Sequence, residues 1–196
     1  MSKKLNVLLV GVGGQGTILA SNILAEVAMK SGLVVKMSEI HGMSQRGGSV
    51  VTHVKIGPEV FSPLIEKGEA DLILAFEELE ALRWLEYLRP GGKMLVNTQN
   101  ITPAPVSIGK AKYPQAIIEK LTSKNANVST IDALSIATRC GNKKVSNVAL
   151  VGMLAKRLDF PKDLWIKVLS EKVPARLQET NLQAFNEGYE CSRFAD

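Results

Sequence analysis

The sequence predicts an α/β protein: a Rossmann-like, doubly wound, mostly parallel sheet with helices on both faces and a helical C-terminal region. Three observations carry this. Short apolar runs of strand length alternate with helical patterns along most of the chain. A glycine loop, Gly11-Val12-Gly13-Gly14-Gln15-Gly16, stands between the first strand-like run and the first helical pattern. The region from about residue 141 to residue 196 reads as helix.

The elements follow in order. Leu5–Val10 is a buried strand of Leu and Val broken only by Asn6. Thr17–Lys30 has helical spacing through Ile18, Leu19, Ile23, Val27 and Ala28, and Ser31-Gly32 stops it. Leu33–Ser38 is the next strand, which makes a βαβ unit with an expected right-handed crossover. Glu39–Gly48 is irregular and mostly polar. Ser49–Ile56 alternates, with Val50, Thr52, Val54 and Ile56 on one face, so it is expected as a strand, antiparallel or near an edge.

Leu72–Phe76 is another apolar strand. Glu77–Leu88 is expected as an amphipathic helix with Leu79, Leu82, Leu85 and Leu88 inward, ended by Pro90-Gly91-Gly92, and Lys93–Asn97 starts the next strand. Residues 98–112 carry Pro103 and Pro105 and read as loop or edge. Pro114–Lys124 is expected as a helix, Val128–Ile131 as a strand ending in Asp132, and Val145–Leu158 as a helix apolar almost all round and therefore buried. Pro161 is placed in the first turn of a further helix. No linker stands out among the 196 residues, so residues 1–196 are expected as one domain with a helix-rich part at about 141–196.

Composition narrows the function classes. Apolar residues make up 45% and aromatics only 5%, so aliphatic side chains must fill the core. The net charge of +5 is spread along the chain, with pairs such as Lys3-Lys4 and Lys143-Lys144 but no longer run, so no nucleic-acid partner is expected. The two cysteines, Cys140 and Cys191, lie far apart without CxxC spacing. That argues against a zinc or iron–sulfur site built by this chain alone, and fits a reducing, cytoplasmic setting. No apolar stretch reaches membrane-spanning length, and Leu5–Val10 is too short for a signal peptide.

Two motifs point to function. Gly11-x-Gly13-x-x-Gly16 has the strand–loop–helix context of a phosphate-binding turn. The first glycine permits a tight turn, the second lets the backbone approach an anion, and the third allows close helix–strand packing. The helix N-terminus adds free N–H groups and partial positive charge. Glu39, near the end of the second strand, stands where an acid bonds a ribose hydroxyl in dinucleotide sites.

The second motif is His41-Gly42-Met43-Ser44-Gln45-Arg46-Gly47-Gly48. It follows the carboxyl end of a strand, the edge where α/β ligand sites gather. Its glycines imply unusual φ or close backbone approach. Arg46 presents a rigid fork of donors suited to a carboxylate or phosphate, Ser44 and Gln45 add neutral hydrogen bonds, and His41 can donate or titrate. Asn147, an isolated amide on an apolar helix, is weighed first as a helix cap or a bond to a neighbouring loop, and second as part of the site.

On these residues the sequence resembles the gamma-domain family of 2-oxoacid:ferredoxin oxidoreductases. The resemblance rests on Gly11–Gly16, on His41–Gly48 followed by Ser49-Val50, on Glu77–Glu80, on Pro90-Gly91-Gly92, and on Asn147 before Gly152. It covers nearly the whole chain. The His-Gly-Met-Ser-Gln lead-in resembles the indolepyruvate branch.

The resemblance implies a subunit of a complex that oxidatively decarboxylates a 2-oxoacid to an acyl-coenzyme A and passes electrons to ferredoxin. Thiamine diphosphate, magnesium and 4Fe-4S clusters would sit on an alpha-type partner subunit, with none bound by this chain alone. The implied contact residues, to ligand or partner, are Gly11, Gly13, Gly14, Gln15, Gly16, His41, Ser44, Gln45, Arg46, Gly47, Gly48 and Asn147. No catalytic residue is assigned to the chain. In isolation it is expected to be inactive and able to form a homodimer. Two rival readings stay open at this point. One is an NAD(P)-dependent dehydrogenase; the other is a ligand-free assembly or regulatory module.

Overall fold

A computed structural model of the protein describes residues 4–41, 47–124, 127–191 and 193–194. Seven strands form one sheet in the order β2-β3-β1-β4-β5-β6-β7. They are β1 (Leu5–Val12), β2 (Val34–His41), β3 (Ser49–Gly57), β4 (Ala70–Ala75), β5 (Leu88–Asn97), β6 (Val128–Ile131) and the two-residue β7 (Arg193–Phe194). The β1-β4-β5-β6 pairings are parallel, and those of β3 with β1 and β2, and of β7 with β6, are antiparallel.

Side chains alternate along β1 into two cores. Val7 and Leu9 enter one core, beneath α1 (Thr17–Lys30), α5 (Ala133–Arg139), α6 (Ser146–Ala155), α7 (Lys162–Lys172) and α8 (Gln178–Glu190). Leu8 and Val10 enter the other, beneath α2 (Glu78–Arg83) and α4 (Ile117–Lys124). No helix among the described residues is long and apolar enough to cross a membrane.

The helix Thr17–Lys30 and the strand Val128–Ile131 form where the pattern placed them. The βαβ unit does not close as expected. β3 lies between β1 and β2, paired antiparallel with both, for instance Val10↔Val51 and Ile40↔Val51. The reason is burial. β3 is apolar enough on both faces to be covered twice, whereas β2 carries Lys36 and Glu39, is mostly exposed, and takes the edge. β2 also runs on to His41, into the segment expected to be irregular.

The helix expected over Glu77–Leu88 stops at Arg83. A single 3-10 turn, Leu85–Tyr87, follows, where Trp84 and Tyr87 pack with ring centroids 4.8 Å apart, edge-on to His53. Pro90-Gly91-Gly92 is therefore not a helix stop. It forms the irregularity inside β5, where the register with β4 shifts between Ala70 and Leu72. Gly92 is required there, because a Cβ would lie 2.7 Å from Leu88 Cδ1 and 3.0 Å from the Ala70 carbonyl oxygen.

The stretch 98–112 holds one short helix, α3 (Ala104–Ser107), and α4 starts at Ile117 rather than near Pro114. Asp132 ends β6 and caps α5, a helix the pattern did not show, by accepting from Ser135 N at 2.9 Å. α6 is buried from Val148 to Ala155, as its all-round apolar surface requires. It meets α8 at two glycines: a Cβ on Gly152 would overlap the Phe185 backbone, and one on Gly188 the Ala149 backbone.

Candidate functional site

The parallel strands β1, β4 and β5 end at one edge, and the glycine loop leaves β1 there. Gly11 is still in the strand. A Cβ at Gly11 would sit 2.9 Å from Gln15 Oε1 and 3.0 Å from Phe76 Cβ, so its bare backbone admits the Gln15 side chain. Gln15 then folds inward. Its Oε1 accepts from Val12 N at 2.7 Å, and its Nε2 donates to the Phe76 carbonyl at 2.9 Å and to Gln99 Oε1 at 3.1 Å. One amide thus ties the ends of three strands. Asn97 supports it, donating to the same Phe76 carbonyl and accepting from Ala133 N.

The two sequence motifs meet through backbone. Gly13 N donates to Gly48 O at 2.8 Å, and Gly47 N donates to Gly13 O at 3.3 Å, extending the β1–β3 ladder past Val12 and Ser49. Gly13, offered by the motif to an anion, therefore spends both backbone groups on the second motif. Gly14 and Gly16 hold left-handed conformations at φ 103° and 81°, which favour glycine. Gly16 packs against Asn147 of α6 rather than against a strand. It is the N-cap of α1 and makes no side-chain cap hydrogen bond.

A cleft of about 450 Å³ opens here. The loop contributes Gly13, Gly14 and Gly16 to its lining, and β2 and β3 contribute Glu39, His41 and Val50. Both motifs therefore contribute to one concavity. Ser44, Gln45 and Arg46, with Gly42 and Met43, lie outside the described residues.

A buried acidic network flanks this edge; the resemblance picked out Glu77–Glu80, but nothing in the sequence pattern tied these carboxylates to Ser49, Ile101 or Tyr113. Glu77, 1% exposed, caps α2 through Glu80 N at 2.9 Å and accepts from Tyr113 OH at 2.7 Å and Ile101 N at 3.0 Å. Glu80 accepts from Ser49 Oγ at 2.5 Å and pairs with Arg83 at 3.3 Å. Burial raises the Glu80 pKa, against the Ser49 bond and Arg83, which lower it. Burial and the Glu77 bond also push the Tyr113 phenol above its ordinary value. The network anchors β3, α2 and the 98–116 excursion to one another.

The cysteines do not gather. Cys140 is buried and lies 3.4 Å from Glu187, and Cys191 is exposed. Among the described residues no three His, Cys, Asp or Glu side chains come together as a metal site. This donor set does not fit an iron–sulfur cluster.

The fold is that of an α/β domain whose two glycine-bearing motifs meet at the carboxyl end of its parallel strands. The family model described as pyruvate ferredoxin/flavodoxin oxidoreductase matches residues 6–191. The chain belongs to this family. It is 37% identical over 196 residues to the indolepyruvate oxidoreductase subunit IorB of Pyrococcus horikoshii, covering 97% of each chain. To the pyruvate/ketoisovalerate oxidoreductases common subunit gamma of Pyrococcus furiosus it is 28% identical over 183 residues, covering 92% of each. Among solved structures, the 2-oxoglutarate:ferredoxin oxidoreductase from Magnetococcus marinus, with 2-oxoglutarate, coenzyme A and succinyl-CoA bound, matches with a TM-score of 0.72 at 19% identity. That match covers all of this chain and 34% of the other, so the same fold occurs there as one part of a longer chain.

Proposed function

We propose that this chain is the gamma-type subunit of a 2-oxoacid ferredoxin oxidoreductase of the indolepyruvate or arylpyruvate type, with residues 1–196 acting as one domain. The complex oxidatively decarboxylates its 2-oxoacid to an acyl-coenzyme A and passes the electrons to ferredoxin. Thiamine diphosphate, magnesium and the 4Fe-4S clusters belong to the alpha-type partner, and the complex works in the cytoplasm. The observation that carries this reading is the stitching of Gly13 to Gly47 and Gly48, which joins both family motifs along one cleft. Full-length similarity to an indolepyruvate subunit supports the choice of branch.

Roles follow from placement. The uncapped start of α1 at Gly16 suits an anionic group presented across the cleft. Gly14 keeps that approach open, Gly16 makes room for the Asn147 amide, and His41 lines the same cleft. Ser44, Gln45 and Arg46, carried by the adjoining segment, supply the side-chain contacts to the partner subunit, the substrate or coenzyme A. Gly11, Gln15 and Asn147 hold the loop rather than touch a ligand. In isolation the chain is able to form a homodimer.

The test is reconstitution. The purified chain alone should oxidise no 2-oxoacid. Adding the thiamine-bearing partner, assayed anaerobically with a dye acceptor, should restore turnover with arylpyruvates. Robust oxidation by the lone chain would sink the reading.

A further inference from the structure

Glycines carry no side chain to fix a chain crossing, and the crossing of the two motifs is made of glycines. Gly47 and Gly48 bond Gly13 through backbone alone, and Gly47 holds φ at 76° with open space where a Cβ would stand. The first side chain able to secure that crossing is Ser49, opposite Val12 at the start of β3. Its hydroxyl donates to Glu80 Oε2 at 2.5 Å.

Glu80 is 3% exposed, and its other oxygen, Oε1, lies 3.3 Å from Arg83 Nη1. The groups facing it are Ser49 of β3, and Glu77, Arg83 and Trp84 of α2 and its two ends. Glu119 of α4 acts on Glu78 instead. Burial and Glu77 oppose the Glu80 carboxylate, whereas Ser49, Arg83 and Trp84 favour it. A bond that favours the ionised form is stronger to that form, so Ser49 is held hardest when Glu80 is charged. The carboxylate works from behind the cleft. Val50 lines the cleft, so the neighbouring Ser49 side chain points to the other face of the sheet, where Val51 packs in the core beneath α2.

We propose that Glu80 is a positioning residue of this cleft: its carboxylate grips Ser49 and so holds Gly47 and Gly48 against Gly13. Glu80 touches no ligand. It fixes the distance between the glycine loop and the chain that enters β3, and protonation loosens that grip. The clamp stands on the geometry alone, and its part in turnover rests on the function proposed above.

Amide hydrogen exchange on the full chain tests the clamp. It is read at Gly13 and Gly47 across pH, corrected for intrinsic exchange, with Val54 inside β3 as the control. In the parent, protection at Gly13 and Gly47 should fall roughly tenfold as Glu80 protonates, while Val54 holds. Glu80→Gln and Ser49→Ala should each show that loss at neutral pH, with little further pH dependence. Ser49→Ala should also raise the Glu80 titration midpoint, read from its carboxyl carbon resonance. In the complex reconstituted with its thiamine-bearing partner, Glu80→Gln should flatten the acid limb of the kcat/KM profile. Parental protection in both variants would overturn the clamp, as would a pH-dependent loss shared equally by Val54. Altered exchange with an unchanged pH profile would overturn the positioning role. A complex inactive toward every 2-oxoacid would count against the function proposed above, and the exchange data would still decide the clamp.

Discussion

Asn147 on α6 lies directly over Gly16, the last glycine of the loop, so closely that a β-carbon on Gly16 would overlap the Asn147 amide and lie 3.0 Å from its Cγ. Two separate constraints therefore act on Gly16: its left-handed φ of 81° and the amide above it.

These constraints can be separated. Gly16→Ala should destabilise the protein by about 1–2 kcal/mol for the left-handed backbone and by a further 1–3 kcal/mol or so for the overlap. In an Asn147→Ala background the second part should vanish and the first should remain. Denaturant midpoints for the four proteins of the cycle measure this; strict additivity would show that the amide exerts no steric constraint on the loop.

Gln15 is expected to matter for stability more than for ligand affinity. Gln15→Ala removes bonds to Val12, Phe76 and Gln99 and leaves the Phe76 carbonyl to Asn97 alone. The loss should be about 1–3 kcal/mol. Amide exchange at Val12 should accelerate in parallel, and unchanged protection there would contradict the network.

His53 should give the protein an acid-sensitive step. It is 4% exposed, its Nδ1 accepts from Ile65 N at 3.1 Å, and burial together with Lys55 depresses its pKa below 6.5. Between the ordinary and the depressed value the unfolded chain binds a proton that the folded one does not. The His53 contribution is therefore intact above pH 6.5 and is lost as the pH falls toward the depressed pKa. His53→Gln should flatten that limb of a stability–pH curve, and an unaltered slope would assign it elsewhere.

Gly152→Ala should be among the most damaging small substitutions. The added methyl meets the Phe185 backbone of α8, which no rotamer change relieves. A cost of about 1–3 kcal/mol or more is expected. Thermal unfolding should show it; a melting temperature equal to that of the parent would mean that α6 and α8 separate freely.

Local patterns were enough for much of the fold. Thr17–Lys30 was legible because its spacing and its Ser31-Gly32 stop are local facts, and Val128–Ile131 because β-branched Val128, Thr130 and Ile131 favour a strand. Glu77–Leu88 misled because leucines at helical spacing continue past Arg83, while Trp84 and Tyr87 turn the chain to pack on His53. Pro90-Gly91-Gly92 misled similarly: the same residues that stop a helix also build a strand irregularity.

The site divides along the same line. The sequence by itself determined that Gly11–Gly16 joins a strand to a helix, that the His41–Gly48 segment begins at a strand's end, and which family the two motifs resemble. Only the tertiary structure decided that Gly13 spends its backbone on Gly47 and Gly48, that Gln15 turns inward, and that Asn147 closes over Gly16. Each of these depends on a partner at least 34 residues distant or on the inward fold of a single side chain, and local periodicity carries no record of either. The glycine loop was visible from its spacing; what its glycines make room for was set by the strands and helix that packing brought beside them.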